Sequence, residues 1–546
     1  MTASETKSSS LAGKPTVSSS RATRTADRHG GHGDHDVIVI GSGFGGAMIA
    51  HTLLEAGRRV LMLERGEWVE RGPANWSPRG SMVLTPYYSE ESPYRMVAGG
   101  YGKTMGSTFC VGGPSVFYGC VAFRFREQDF AIDPEVRGDS GAAWPFTYDD
   151  LEPYYSQAES LLGVAGNDAD DPTRPRRSVA YPQSPAPLAP ISQRIGDAAR
   201  SLGLAPFPLP LAINYTQRAE SQRCIACRTC DTFACAIQAK NDIATAVIEP
   251  LVARGLTLHT GTVVTRLVAD KGRISAVECF DKTRGETVRY QADTVILSAG
   301  ALASPHLLLA SQLDRQNPGG HTIGGYLMRH CNAMVFGWFP RRPDRERRFH
   351  KQLAIHDFYF GVQDDRTGKA SPLGKLGCIQ QVATPPVELV KQLLPWGLRS
   401  LLAPLTEHLT GLLVIAEDQP RSENRITVDF EDRDPFGMPR AVINHRYSTR
   451  DWQACKILVR RAKKILGQSG AWFFKTHEIK TFSHAVGTVR AGHDPENSAL
   501  DEFCRFRGID NLYVVDGSFM PSSAGLNPSL TIAANALRVG DYLTRT

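Results

Sequence analysis

The chain has 546 residues, 42% apolar and 22% charged, the balance of a globular protein with a large core. A net charge of +6 is thin over this length and gives no sign of the concentrated basic surface that binds nucleic acid. No run approaches about 18 uncharged apolar residues, so no membrane span is expected, and the basic N-terminus lacks the apolar stretch of a secretion signal.

Residues 1–34 are rich in Ser, Thr, Arg, Gly and His. They carry too little apolar surface to offset ordering entropy and are expected to be a disordered tail. Apolar structure starts after Asp36. Val37-Ile38-Val39-Ile40 is a continuous apolar run, as in a buried parallel strand. Glycines follow, then a helical stretch through Ala47, Ile49, Ala50, Leu53 and Leu54, then a second strand, Val60–Leu63, ending at Glu64. This is a βαβ unit.

Gly41, Gly43 and Gly46 fit G-x-G-x-x-G in the context that motif needs, with Glu64 at the end of the next strand. Gly41 serves the tight turn, Gly43 the approach of a pyrophosphate, and Gly46 the packing of helix on strand. The helix N-terminus offers N–H groups to phosphates, and Glu64 suits ribose hydroxyls. The motif alone does not separate NAD from FAD.

Further along, Leu151, Tyr154, Tyr155, Ala158 and Leu162 repeat at helical spacing over Asp149–Leu162, and residues 164–190 read as a loop. Cys224, Cys227, Cys230 and Cys235 follow a C-x2-C-x2-C-x4-C spacing. Thiols so placed suit an iron–sulfur cluster or zinc, and equally two disulfides or packed free thiols. Thr262–Leu267 reads as a strand, and Thr294–Leu297 is another buried-strand run ahead of Ala299 and Gly300. Ala333–Phe339, Ile355–Phe360, Leu412–Ala416 and Ile426–Phe430 look like sheet strands. Residues 386–404 form an apolar stripe, read as helices packed on the domain. Asp451–Leu466 is a basic helix, and Leu512–Val515 is again a buried strand.

Parallel-type strands at both ends of the chain enclose antiparallel-looking material. The expected fold is α/β: a Rossmann-like domain of discontinuous segments (35–155, 220–330, 481–546) with an inserted substrate domain on an antiparallel sheet (156–219, 331–480).

Several segments occur together in order. They are Val111–Gly119, Trp144-Pro145, Gly300–Leu308, His484-Ala485-Val486-Gly487-Thr488, Val515–Ser518 and Asn527–Ile532. With the first glycine loop, they resemble the glucose–methanol–choline (GMC) family of FAD-dependent oxidoreductases from Asp36 to about Leu543. The resemblance implies an extended FAD. Gly41, Gly43, Gly46 and Glu64 would hold its ADP end, and Val264 would meet the adenine. Ala299 and Gly300 would pass near the pyrophosphate, and Gly112, Gly113 and Ser115 would cover the ribityl chain. Asp516 and Gly517 would hold the ribityl–phosphate region, and Pro528 would lie beside the flavin ring. Phe117 stands where some members attach flavin covalently to a histidine, so a non-covalent FAD is expected.

The resemblance also makes His484 the catalytic base and Asn527 its partner, with no metal in the catalysis. The implied reaction oxidises an alcohol on a sugar, glycoside or aminoglycoside in a cytoplasmic enzyme, with oxygen or a redox partner as electron acceptor. A sterol substrate, and a non-redox hydroxynitrile lyase on the same fold, are the alternatives. Some bacterial relatives of this type carry an iron–sulfur cluster near the position of the cysteine run.

Overall fold

The computed structural model describes residues 35–77, 94–97, 108–216, 222–363, 372–384 and 403–546, with isolated positions between 385 and 402. The expected tail and nearly all of the 386–404 stripe lie outside the described residues.

The chain opens with β1 (Val37–Ile40), α1 (Phe44–Glu55) and β2 (Val60–Leu63), the unit read from the sequence. β3 (Tyr94–Met96), α2 (Tyr148–Leu161), α3 (Pro190–Ser201) and β4 (Phe207–Pro208) follow. Then come β5 (Thr257–His259), an antiparallel trio of β6 (Thr262–Asp270), β7 (Arg273–Asp281) and β8 (Glu286–Tyr290), and after it β9 (Thr294–Leu297) and α4 (Ala303–Ala310). The middle of the chain supplies β10 (Cys331–Trp338), β11 (Leu353–Ile355), β12 (Gly377–Val382), β13 (Leu409–Ala416), β14 (Arg425–Arg433), β15 (Pro439–Asn444), α5 (Thr449–Gln468) and β16 (Phe473–Glu478). β17 (Leu512–Val514) and α6 (Ser529–Arg545) end it.

The central sheet has the order β17-β9-β1-β2-β5, and every pair in it is parallel. All four residues of β1 and of β2 are buried, which explains their unbroken apolar runs: both faces of such a sheet are covered. α6 packs on α1 and α2, with the Tyr155 hydroxyl 2.8 Å from Thr531 Oγ1. A second sheet runs β16-β10-β13-β12-β11-β4 and is antiparallel throughout. α5 lies against β10 and β13, burying Ala454, Leu458, Ala462 and Ile465 against the sheet.

The expected strand Ile355–Phe360 is a turn beyond its first residue, since β11 ends at Ile355. Tyr359 N–H turns back to the His356 carbonyl at 2.9 Å. Two side chains enforce the turn. The Asp357 carboxylate accepts from Ala205 N–H at 3.1 Å, and the buried Tyr359 hydroxyl donates to Asp129 at 2.8 Å. Among the described residues no helix is long and apolar enough to cross a membrane.

The antiparallel register brings distant residues to one edge. Cys331 and Gly377 both pair with Ala416, and Ala333 pairs with Glu478. His330, Asp418 and the segment leading to His484 therefore leave the sheet on the same side, with Gln380 three residues into β12.

Candidate active site

The first glycine loop leaves β1 in the left-handed conformation at Gly41, φ 95°. A Cβ there would lie 2.4 Å from the Ser298 carbonyl oxygen, so β9 can approach only a glycine. At Gly46 a Cβ would lie 2.0 Å from the Gly41 oxygen, which seats α1 tightly on the loop. Gly43 differs from both: a Cβ there meets nothing within 4 Å. It is also the N-cap of α1, and no side chain caps that end. An uncapped helix N-terminus facing open space fits a diphosphate.

The second glycine loop closes over the first. Gly112 N–H donates to Ser42 Oγ at 3.0 Å, and a Cβ on Gly113 would lie 3.7 Å from Gly43 Cα. Ser115 is buried, and its hydroxyl ties the loop together: it donates to the Gly112 carbonyl at 2.7 Å and accepts from Ile243 N–H at 3.0 Å. Glu64 is buried and accepts from Ser42 N–H at 3.1 Å, Gly66 N–H at 2.8 Å and the Ser42 hydroxyl. Burial raises its pKa against those bonds. Val264 lies half-buried on β6, whose first residue donates Thr262 N–H to the Glu64 carbonyl at 2.9 Å.

Asp516 is the hinge pin of the opposite wall. Its buried carboxylate accepts from Gly300 N–H at 3.0 Å, Ser518 N–H at 2.9 Å and the Ser304 hydroxyl. It thus holds the turn containing Ala299 and Gly300 against the C-terminal segment. Gly517 gives room there: a Cβ would lie 3.1 Å from Ile532 and Val486 side chains.

His484 and Asn527 meet beyond these loops. Asn527 Nδ2 is 3.3 Å from His484 Nε2, and the next residue, Pro528, caps the start of α6. Burial, then the His330 ring and the Lys351 ammonium, push the His484 pKa down to about 3, against a small opposite pull from Asp418. The imidazole is therefore neutral and able to accept a proton at ordinary pH.

Three neighbours were invisible to sequence reasoning. His330 Nδ1 lies 3.0 Å from His484 Nδ1, Gln380 Nε2 donates to Asn527 Oδ1 at 2.7 Å, and Asp418 accepts from the His330 and Arg329 amides at 3.1 and 2.8 Å. No spacing links them. The single hint was a histidine directly ahead of the strand-like run that became β10.

GMC oxidoreductase family models match residues 88–332 and 420–536, and an FAD binding domain model matches residues 36–90. The 6'''-hydroxyparomomycin C oxidase of Streptomyces lividus is 31% identical over 524 residues, covering 92% of this chain and 90% of that protein. The chain belongs to the GMC oxidoreductase family. It is an FAD-dependent oxidoreductase acting on alcohols. This GMC oxidoreductase is also similar to paromamine 6'-oxidase of Streptomyces fradiae, at 30% identity over 93% of this chain and 92% of that one. The fructose dehydrogenase large subunit of Gluconobacter japonicus is 26% identical over 93% and 97%. Among solved structures, pyridoxine 4-oxidase from Mesorbium loti shares the fold, with a TM-score of 0.64 over 94% of this chain and 99% of that one at 20% identity.

In this GMC oxidoreductase the cysteine run packs under the second glycine loop. The buried Lys240 ammonium fixes it, donating to the carbonyls of Tyr118 (3.1 Å), Cys230 (3.1 Å) and Phe233 (2.8 Å). The four thiols line a cavity of about 20 Å³, room for roughly one water. All eleven cysteines are unpaired, and among the described residues no group of three or more His, Cys, Asp or Glu is arranged to hold a metal. The iron–sulfur cluster considered for Cys224, Cys227, Cys230 and Cys235 thus gains no support, and neither do disulfides. A hydrogen bond links the Cys120 and Cys230 thiols, and with nearby lysines it lowers the Cys230 pKa.

Proposed function

We propose that the enzyme oxidises a hydroxyl of a sugar- or aminoglycoside-type substrate to a carbonyl, with His484 as the base and Asn527 as the aligning group. The pairing of His484 Nε2 with Asn527 Nδ2 at 3.3 Å carries the reading. A substrate oxygen within reach of both atoms donates its proton to the neutral imidazole and accepts from the Asn527 amide. Bound FAD supplies the acceptor for the hydride that leaves the carbon. The residues that would hold it are Gly41, Gly43, Gly46, Glu64, Gly112, Gly113, Ser115, Val264, Ala299, Gly300, Asp516, Gly517 and Pro528.

The 30–31% identity to two aminoglycoside oxidases supports the substrate class. The polar character of the site supports it too. The Lys351–Asp231 pair at 2.8 Å and the His330, Gln380 and Asn527 side chains supply polar groups suited to a hydroxyl-rich substrate. Phe117 carries no nucleophile, which supports a dissociable FAD.

Anaerobic stopped-flow mixing with paromamine, fructose and a sterol tests both parts. Flavin bleaching by the first two but not the third is expected. His484→Ala is expected to keep its flavin spectrum and lose about 10²–10⁴-fold in reduction rate. Reduction of that variant within about tenfold of wild type would remove His484 as the base.

A further inference from the structure

Behind His484 stands a second histidine that the proposed mechanism does not use. His330 is 1% exposed and held in left-handed backbone, φ 60°. Its amide donates to Asp418 at 3.1 Å, and its carbonyl accepts from the Tyr447 hydroxyl at 2.7 Å. The Asp418 carboxylate also accepts from the Ser523 hydroxyl at 2.9 Å, which ties the same carboxylate to the segment facing the His330 ring.

Ring chemistry then follows from acceptors that can only accept. His330 Nε2 lies 3.0 Å from the Ser523 carbonyl oxygen and 2.8 Å from that of Ala524. Carbonyl oxygens have no proton to give, so Nε2 carries the hydrogen. In its neutral form a ring protonated at Nε2 has a bare Nδ1, whereas in the charged form Nδ1 also carries hydrogen and would leave the His484 hydrogen on Nε2. The bare Nδ1 is 3.0 Å from His484 Nδ1, so the contact is a hydrogen bond when His484 donates from Nδ1. His484 Nε2 is then the unprotonated nitrogen, and it is the one beside Asn527. The amide is oriented in the same sense: Gln380 occupies Asn527 Oδ1 and leaves Nδ2 toward the imidazole.

We propose that His330 is a positioning residue that holds His484 in its Nδ1–H tautomer, so that Nε2 carries no hydrogen and can take the substrate proton. The proposal rests on His484 being the base. In the other tautomer Nε2 already carries hydrogen and accepts nothing, whatever the overall basicity of the ring. No bond is made or broken at His330: the proton moves from substrate oxygen to His484 Nε2, and the Nδ1–H···Nδ1 bond persists.

The first measurement is ¹⁵N NMR of the FAD-loaded protein labelled at histidine, with His484→Gln used to assign the His484 signals. The expected result near pH 7.5 is a protonated Nδ1 and a bare Nε2. A protonated Nε2 overturns the proposal, and this reading needs no substrate and no variant of His330. The second compares His330→Phe, which keeps the ring shape and loses both nitrogens, with His330→Asn. Asn keeps an acceptor toward His484 and tolerates left-handed backbone. With paromamine as the probe alcohol, His330→Phe is expected to lose about 10- to 100-fold in limiting flavin-reduction rate with unchanged half-saturation, and His330→Asn to recover most of it. Wild-type reduction by His330→Phe overturns the role of His330. If His484→Ala itself reduces flavin normally, the underlying assignment of the base has failed, and the proposal with it.

Discussion

The first glycine loop and the near edge of the antiparallel sheet border the same site but are made of different material. The loop is backbone: Gly41, Gly43 and Gly46 act through missing side chains, within one βαβ unit. The sheet edge is side chains: Gln380 stands on β12, His330 just before β10 and Asp418 just after β13, and His484 and Asn527 come from segments far beyond them. A site built from missing side chains keeps a fixed local spacing, because the turn, the open cradle and the helix packed on it all fall within one short loop. A site built from hydrogen bonds needs only that atoms meet, so its members can stand anywhere in the chain. The first kind is open to inspection in a sequence, and the second is hidden until the strands are in register.

The sharpest way to test this contrast is Gly43→Val. The new side chain enters empty space, so the protein should fold and be colourless, with activity lost entirely. Gly46→Val should instead clash with the Gly41 oxygen and fail to fold. Circular dichroism and absorbance of the two purified variants separate the cases, and yellow Gly43→Val protein would mean the cradle lies elsewhere.

On the side-chain half, Asn527→Ala is expected to cost about 10- to 100-fold in flavin reduction, less than His484→Ala, because it loses alignment and keeps the base. Gln380→Leu should follow Asn527→Ala in direction with a smaller loss, since it frees the amide without removing it. Stopped-flow rates for the pair check the order, and a larger loss in Gln380→Leu would reverse the assigned roles.

A pH profile probes the same half without mutation. The His484 pKa is lowered, so the ring stays neutral as pH falls through the ordinary histidine value of about 6.5. The limiting reduction rate should stay level from about pH 8 to 5 and fall only as pH approaches about 3. A bend near 6.5 would show that the ring is solvated in the holoenzyme.

The smallest effect is expected at Cys230→Ser. Its thiol bonds one other thiol, so flavin content and rate should change by less than about twofold. Iron analysis with visible spectra of both proteins is the check, and loss of a broad absorbance shoulder together with iron would restore the cluster.

Legibility in the sequence followed this same division. β1, α1, β2 and β9 were read close to their ends because strands buried on both faces spell unbroken apolar runs. The roles of Glu64 and Asp516 were read only as ligand contacts. Their carboxylates also fasten loops to each other, which requires knowing that Ser42, Ser304 and Gly300 lie nearby. His484 and Asn527 were found because a family resemblance marks them. His330 and Gln380 were missed because their partners His484 and Asn527 lie far along the chain, and no spacing links them. The expected strand at Ile355–Phe360 failed for a related reason: its aromatic content reads as strand, but the turn after Ile355 is held by a distant backbone amide at Ala205 and by Asp129.

The clamp by Asp516 has a consequence in time. The carboxylate that secures the Gly300 turn is delivered from far beyond the first glycine loop in the chain, with β17 beside β9 and α6 against α1. A chain growing on the ribosome therefore has its entire glycine loop exposed to the cell long before the opposite wall exists. Nascent chains stalled before Leu512 are therefore expected to emerge without flavin, as fluorescence of purified ribosome complexes would report.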